Sequence, residues 1–269
     1  MGRTRFMLVL LAGLVPALSL TLAQTPGRFN EREIRRPLIP EEAKQGIWVL
    51  DFRFKDPRLI TVDIPGRGKR VVWYLWYQVI NNTGEPRTFI PDFELVTLDK
   101  NTVHHDQVLP KAQMMIWAVE DAVGHANAKQ RGLTDPSTYL KNSVTIASQP
   151  IPVSKADAVP KAVTGVAMWD DVNRDSNRYS IFVSGLSNGW SVDDKKVVRR
   201  KTLQLNFRRF GDEFSKDIRW EPPAEWIYRA SSLKVGAEEK KVGALRGPSS
   251  VRAPALQPAV PVKNTAPRN

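Results

Sequence analysis

The feature that most constrains the fold is the stretch of residues 71–80, which reads VVWYLWYQVI. Side chains alternate between the two faces of a β-strand, and here both sets are apolar or aromatic apart from Gln78. A strand with one face in water would instead show polar residues at alternate positions. The stretch therefore predicts a strand in the middle of a sheet, covered on both faces. Core packing is the favoured interpretation of its large aromatic side chains, and a ligand platform is the alternative.

Further apolar alternation predicts strands on both sides of this segment. The predicted strands cover residues 46–55, 60–64, 87–99, 102–109, 143–147, 161–169, 178–184, 197–210 and 226–228. Pro91 argues for an edge or a bulge in its strand, and residues 99–101 are typical of a hairpin turn. Apolar residues recur at helical spacing from 110 to 127, so one helix is predicted there, with Pro110 in its first turn.

Many strands, regular turns and one short helix favour a mainly β fold, an antiparallel β-sandwich of immunoglobulin-like type. The predicted sandwich domain spans residues 46–230 of the 269-residue chain. The sequence has no cysteine, so the Cys…Trp…Cys pattern of true immunoglobulin domains is absent. The absence of cysteine also excludes disulfides, thiolate metal sites and cysteine nucleophiles.

The N-terminus has the pattern of a secretory signal peptide. Arg3 and Arg5 precede an apolar run over residues 6–22, and Thr21 and Ala23 are small residues at the positions expected for cleavage. We expect a signal peptide over residues 1–23, with an uncleaved anchor as the alternative. The mature protein would then be exported, to the periplasm or beyond, with no membrane span after cleavage.

Two other segments lack the periodicity of packed structure. Residues 24–45 are polar, with mixed charge and several prolines, and are predicted to be an arm or linker. Residues 231–269 are rich in Ala, Val, Pro, Lys and Arg. They are predicted to be a disordered basic tail, because they cannot bury enough apolar surface to offset the entropy of ordering.

The net charge of +12 favours anionic partners. Basic clusters occur at residues 66–70 and 197–201, and with eight tryptophans they suggest a polyanion- or sugar-binding surface. A solvated strand face is the alternative for the second cluster. Export argues against nucleic acid, so the expected partner is an envelope component, either an anionic polysaccharide or a protein.

The loop of residues 170–177 is the candidate metal site. Asp171, Asn173 and Asp175 occupy alternate positions, as oxygen ligands do in calcium loops. Ser176 stands where an EF-hand needs glycine and Phe182 where it needs glutamate, which excludes that motif. A looser calcium loop remains one hypothesis, and turns capped by Asp and Asn side chains remain the other. No other cofactor is predicted.

One motif and one set of dispersed residues are candidates for catalysis. Residues 185–189 match the G-x-S-x-G pattern, which needs a following helix and a later histidine. His104, His105 and His125 all precede it, so we predict a glycine-rich loop and no catalytic residue. A rival hypothesis is a metal-dependent hydrolase that uses His104 or His105, His125 and the loop of residues 170–175.

Four segments of the chain, residues 46–52, 73–84, 108–113 and 179–190, resemble a family of uncharacterised exported proteins of planctomycete-type bacteria. The resemblance covers about residues 46–230 and excludes the tail. It implies export but no activity and no site residues.

Together these patterns favour a secreted, non-catalytic β-sandwich with a structural or binding role in the cell envelope. The first alternative is a carbohydrate- or polyanion-binding module, and the second is the metal-dependent hydrolase. A carbohydrate module predicts an exposed planar row of Trp or Tyr side chains.

Overall fold

The computed structural model describes residues 31–34, 46–155, 158–212 and 215–230. The predictions for residues 1–23 and 231–269, and for most of residues 24–45, lie outside the described residues. All the elements given below belong to one unit of the chain, Met1–Arg229.

Eleven strands in the described ranges form two sheets. They are β1 (Glu31–Ile34), β2 (Asp51–Lys55), β3 (Arg58–Ile64), β4 (Gly68–Ile80), β5 (Asp92–Thr97), β6 (Thr102–His105), β7 (Ala162–Trp169), β8 (Arg178–Ser184), β9 (Trp190–Val192), β10 (Val198–Phe210) and β11 (Asp217–Arg229). The first sheet has the order β1-β2-β4-β3, with β7 also paired to β4. The second has the order β11-β10-β8-β5-β6, with β9 also paired to β10. All of these strand pairs are antiparallel.

The helices are α1 (Pro110–Glu120), α2 (Ala122–Gln130), α3 (Ser143–Ile146) and a short 3₁₀ turn, Pro136–Thr138. The single helix predicted over residues 110–127 is therefore divided at Asp121. The backbone of Asp121 leaves the helical region, with φ −140° and ψ 69°, and its carboxylate accepts a hydrogen bond from the backbone N–H of Gly124. Asp121 thus ends α1 and caps α2, so the prediction of one helix is wrong.

The short strand predicted over residues 143–147 is also wrong, because this segment forms α3. Asn142 Oδ1 accepts hydrogen bonds from the backbone N–H groups of Val144 and Thr145, at 3.1 and 2.9 Å. Thr145 Oγ1 accepts the N–H of Asn142 in return, at 2.9 Å. This capping box fixes a helical turn despite the strand preference of its β-branched residues.

The main core lies between the two sheets. It is built from the inward residues of both sheets, all of them buried: Phe52, Phe54, Trp73, Leu75, Tyr77 and Trp169 from the first, and Phe93, Leu95, Tyr179, Ile181, Leu203, Leu205 and Phe207 from the second. Along β10 these buried residues alternate with residues on the outward face. This two-sheet arrangement confirms a mainly antiparallel β fold of sandwich type.

A second core lies on the other face of the first sheet. Val72, Tyr74 and Trp76 of β4 pack there against Ile116 and Trp117 of α1, and all five are buried. Helix α2 also supplies Ala128, so α1 and α2 form a third layer, whereas Ile146 of α3 belongs to the main core. Because β4 supplies residues to both cores, the prediction of a central strand covered on both faces, with its aromatic residues inside, is confirmed.

Strands β4 and β7 lie very close together at Gly165. Gly165 is the register partner of Tyr77, and a Cβ atom added to Gly165 would lie 2.4 Å from Tyr77 Cζ. The ring of Tyr77 therefore occupies the space that a side chain at position 165 would need. This contact explains the glycine in the middle of a buried strand.

Within the segment predicted to be an arm, residues 31–34 form β1 on the edge of the first sheet. Glu33 is the register partner of Arg53, and its Oε2 accepts a hydrogen bond from Arg53 Nε at 3.0 Å. Ile34 packs against the main core. One apolar side chain and two ion pairs, Glu33–Arg53 and Arg32–Asp56, are weak signals in a polar sequence, so local patterns do not predict this strand.

The outward face of the second sheet is polar. Ser180 Oγ and Gln204 Nε2 both donate to Asn206 Oδ1, at 2.7 and 3.0 Å. The hydroxyl oxygens of Ser184 and Thr202 lie 3.0 Å apart in the neighbouring row. This face carries the two sites described below.

Candidate functional site

A cleft of about 340 Å³ opens at one end of the second sheet. Its lining comes from the hairpin after β5, the loop before β8 and the end of β10, namely Asp99, Asn177, Arg178, Arg208, Arg209, Phe210 and Gly211. Asp99 Oδ2 accepts a hydrogen bond from the backbone N–H of Asn177 at 2.7 Å, which fastens the hairpin to the loop. Three of the seven lining residues are arginines, so the cleft is basic.

Three arginines stand in one row across neighbouring strands at this cleft. Arg208 of β10 is the register partner of Arg178 of β8 on one side and of Arg219 of β11 on the other. All three are exposed. Like charges placed directly opposite one another in a sheet are destabilising. The row is therefore an arrangement that an anion would stabilise.

The row is only partly neutralised by the protein. Arg219 makes two hydrogen bonds to the carboxylate of Asp217, at 2.9 and 2.7 Å. Among the described residues, no carboxylate lies within ion-pair distance of Arg178 or Arg208. The guanidinium groups of Arg208 and Arg219 lie 5.3 and 5.2 Å from the ring centre of Phe210, which holds both through cation–π contacts.

Arg209 forms the buried side of the cleft and faces the core. Its guanidinium donates to the carbonyl oxygen of Arg174, and its Nε donates to Asn177 Oδ1 at 3.2 Å. It also lies 5.8 Å from the ring of Trp73. Arg209 thus positions the loop that carries Asn177 and Arg178, while Arg178 and Arg208 face solvent.

Two buried hydroxyl groups lie next to the lining residues in sequence. Tyr179 and Ser176 are fully buried, and neither hydroxyl has a hydrogen-bond partner among the described residues. Burial raises the pKa of Tyr179 well above its ordinary value, and the charge of Arg209 acts in the opposite direction. Buried polar groups are nearly always paired, so these two hydroxyl groups are exceptions.

The residues of the predicted calcium loop make contacts within the protein. His104 Nδ1 lies 3.0 Å from Asp171 Oδ2, which is an ion pair when the imidazole is protonated. Asn173 Oδ1 accepts a hydrogen bond from the backbone N–H of Asp175 at 2.9 Å, as in an Asx-turn. The Asx-turn interpretation is thus seen at Asn173. Calcium binding by Asp171, Asn173 and Asp175 stays a prediction.

The three histidines have three different environments. His104 faces Asp171, whereas His105 Nδ1 lies 3.5 Å from Asp92 Oδ1. The ring of His125 packs edge-on against Trp117, with centres 4.8 Å apart. In the described part of the chain, the one group of three or more metal-ligating side chains is Asp92, Glu94 and His105. Of the residues that the hydrolase hypothesis requires, His104 and Asp171 lie together, whereas His125 does not belong to this group.

The G-x-S-x-G segment is a loop with structural contacts. Gly185 has φ +90°, and an added Cβ would lie 2.1 Å from the carbonyl oxygen of Ile90. Ser187 Oγ donates to the carbonyl oxygen of Trp48 at 2.7 Å. The chain then enters β9 rather than a helix. The geometry agrees with the predicted glycine-rich loop.

The aromatic row expected of a carbohydrate module is not seen among the described residues. Of the tryptophans there, Trp190 is the exposed one, at 64%. Tyr228 is 39% exposed. Trp190 pairs with Arg200 and Tyr228 with the adjacent Lys201, so the two rings lie on opposite faces of the sheet.

Comparisons with protein-family models, with curated proteins and with solved structures give no match. The geometry of the site is therefore the basis for any function. A search of the described helices for one that is long and apolar enough to span a membrane finds none.

Sequence reasoning missed the arginine row and singled out other basic residues. Arg67 of the first cluster pairs with Asp170 at 2.6 Å, and Arg199 of the second pairs with Asp193 at 2.8 Å. Lys201 is buried. The row is formed by residues of three different strands, Arg178, Arg208 and Arg219. Local sequence patterns do not predict which residues of different strands become register partners.

Proposed function

We propose that the protein is a non-catalytic binding module of the cell envelope that holds an anionic polysaccharide in the arginine-lined cleft. The observation that carries this proposal is the cross-strand row of Arg178, Arg208 and Arg219. A row of like charges is unfavourable by itself and becomes favourable when anionic groups lie against it.

The chemistry of arginine fits this ligand class. A guanidinium presents donors in a fixed fork that matches carboxylate, sulfate or phosphate oxygens. Neighbouring strands are about 4.8 Å apart, so the three-strand row spans about 10 Å. A ligand that carries anionic groups at intervals along an extended chain can contact all three, whereas a single small anion cannot.

The proposal also includes export of the protein to the cell envelope and an immunoglobulin-like connectivity of its strands. Export is supported by the signal-peptide pattern of residues 1–23, which also brings the protein to the polymers of the envelope. An immunoglobulin-like connectivity is supported by the predicted strand pattern and by the two facing antiparallel sheets. Folds of this type commonly present ligand sites at one end, where loops and strand ends meet.

The test is the affinity of the full-length protein for polygalacturonate, measured by isothermal titration calorimetry at low and moderate salt. The double variant Arg178→Gln/Arg208→Gln is expected to lose at least about tenfold in affinity, because each charged hydrogen bond contributes about 1.5–3 kcal/mol. Added salt should weaken binding of the wild type more than that of the variant.

The matched control is Arg70→Gln/Arg200→Gln, which removes the same charge from two exposed arginines outside the cleft. It should bind within about twofold of the wild type, since a tenfold change requires about 1.4 kcal/mol. An equal loss in both double variants would show that net charge, not the cleft, drives binding. Absence of binding to polygalacturonate and to a sulfated polysaccharide would overturn the proposal.

A further inference from the structure

A second cluster of functional groups lies on the same hairpin as Asp99 but at the opposite end of β5. Glu94 of β5 is the register partner of His105 of β6. Asp92 is two residues before Glu94, so its side chain projects from the same face of the sheet. The cluster thus combines two carboxylates with one imidazole.

The cluster is pre-positioned by the hairpin. One ligand atom from each of the three side chains lies within 4.8 Å of the other two, and His105 Nδ1 lies 3.5 Å from Asp92 Oδ1. At the hairpin turn, the hydroxyl oxygens of Thr97 and Thr102 lie 2.6 Å apart. This contact fixes the register that places His105 opposite Glu94.

The surroundings of the cluster are rich in carboxylates. Glu94 is buried, and Arg229 pairs with its Oε2 while lying 4.1 Å from the ring of Phe182. Asp106 is half-buried here, close enough to Asp92 and His105 for their charges to act on it. Each additional carboxylate makes a bound cation more favourable.

We propose that Asp92, Glu94 and His105 bind a divalent transition-metal cation, of which Zn²⁺ is the best probe. Zinc takes imidazole nitrogen and carboxylate oxygen at about 2.0–2.2 Å, and sites with three protein ligands keep a position open for a further ligand. The three side chains need to close in by roughly 1 Å to reach such distances.

Arg229 is compatible with this site and acts as an outer partner. A carboxylate has two oxygens and about four lone-pair positions, so Glu94 can accept Arg229 on one oxygen and a cation on the other. Carboxylates that bind metals are commonly held by such a hydrogen bond. The guanidinium then fixes the direction of Glu94 toward the cation.

The experiment is calorimetric titration of ZnCl₂ into chelator-treated, untagged full-length protein, with the bound zinc counted by elemental analysis. The wild type should bind one zinc ion. His105→Asn and Asp92→Asn should each weaken binding by at least tenfold, because each removes one of three ligands. Circular dichroism confirms that each variant is folded.

The matched control is His104→Asn, which removes the adjacent imidazole on the opposite face of β6. It should bind zinc as the wild type does, and zinc should raise Tm in both proteins but not in His105→Asn. Loss of binding in His104→Asn with retention in His105→Asn would transfer the site to the Asp171 side. No stoichiometric zinc in the wild type would overturn the proposal. Neither result affects the polysaccharide test.

Discussion

At the scale of single residues, the carboxylate of Glu120 joins three polar side chains of the first sheet to the helical layer. Its carboxylate lies at the end of α1 and accepts hydrogen bonds from Lys55, Arg58 and Tyr74, at 2.9, 3.0 and 2.8 Å. The side chains of Glu120 and Lys55 are 3% and 4% exposed. Burial and the charge of Glu120 raise the pKa of Tyr74 far above its ordinary value. One carboxylate therefore ties the helical layer to the first sheet.

We expect Glu120→Gln to lower the free energy of unfolding by about 3–5 kcal/mol, because Lys55 is then buried without its anionic partner. Urea denaturation measures the change. The control is Glu33→Gln, which breaks the more exposed pair with Arg53 and should cost at most about 1 kcal/mol. Equal losses of unfolding free energy in the two variants would contradict the view that the buried ion pair stabilises the protein more than the exposed one.

A second residue-scale prediction concerns pH. Burial raises the pKa of Asp56, and Arg32 and the N–H of Trp220 oppose the shift only in part. As pH rises past the ordinary Asp pKa of 3.8, the unfolded chain loses this proton before the folded protein does. The folded state then binds more protons, so the contribution of Asp56 to stability falls as pH increases.

Asp56→Asn removes this titration and should flatten the pH dependence of the unfolding free energy. The difference in stability, variant minus wild type, should grow as pH rises from about 4 through the folded-state pKa. Denaturation curves at several pH values test the sign. A difference that shrinks over the same range would mean that ion pairing with Arg32, not burial, dominates.

At the scale of secondary-structure elements, α3 shows how a local polar contact overrides strand propensity. Asn142 caps the helix and also donates through Nδ2 to Gln113 Oε1 at 3.0 Å. Gln113 Nε2 in turn donates to the carbonyl oxygen of Leu140 at 2.7 Å. The capping residue thus joins α3 to α1 in a buried amide chain.

Asn142→Ala is expected to destabilise the protein by about 2–3 kcal/mol, more than the loss of a cap alone. The cap contributes about 1 kcal/mol, and the buried Gln113 oxygen loses its donor as well. The matched control is Asp135→Ala, which removes the exposed cap of the 3₁₀ turn and should have a much smaller effect. Thermal and urea denaturation of both variants make the comparison.

The elements differ in how far the sequence predicts them. A run that is apolar on both faces predicted β4, which supplies both cores, and apolar alternation predicted β7, β8 and β10, whose inward residues form one core. It failed at residues 143–147, where side-chain hydrogen bonds decide the conformation.

The two candidate sites also differ in how far the sequence predicts them. Strands β5 and β6 are joined by a short turn, so the pairing of Glu94 with His105 depends only on residues close in sequence. The carboxylate–imidazole cluster could therefore have been found from sequence. The arginine row depends on β8, β10 and β11 meeting in one register. That pairing reflects the whole fold, so local patterns could not reveal it.

At the scale of the whole molecule, the two sheets and the helices α1 and α2 form three layers, and β4 supplies side chains to both cores. Trp73 faces the core between the sheets, and Trp76 faces the helices. Trp117 of α1 stacks on Tyr139 with ring centres 4.9 Å apart and closes the second core. Since one strand belongs to both cores, loss of either core should disturb the other.

Trp117→Ala should cost about 3–5 kcal/mol through the cavity it leaves, and it should lower the urea midpoint of the whole protein. Tryptophan fluorescence and far-ultraviolet circular dichroism should still give coincident transitions. Trp190→Ala, at a site 64% exposed, should stay within about 0.5 kcal/mol of the wild type. Separate transitions for the two probes would show that the cores unfold independently.

The contact between Gly165 and Tyr77 limits which amino acids can replace Gly165. The ring that fills the space above the glycine also lies 5.4 Å from Phe52 and 4.9 Å from Phe93, centre to centre. Even one methyl group at position 165 would push a tightly held cluster of rings out of place. In a saturation-mutagenesis survey, Gly165 should tolerate almost no replacement, because the ring of Tyr77 fills the space that any side chain there would need.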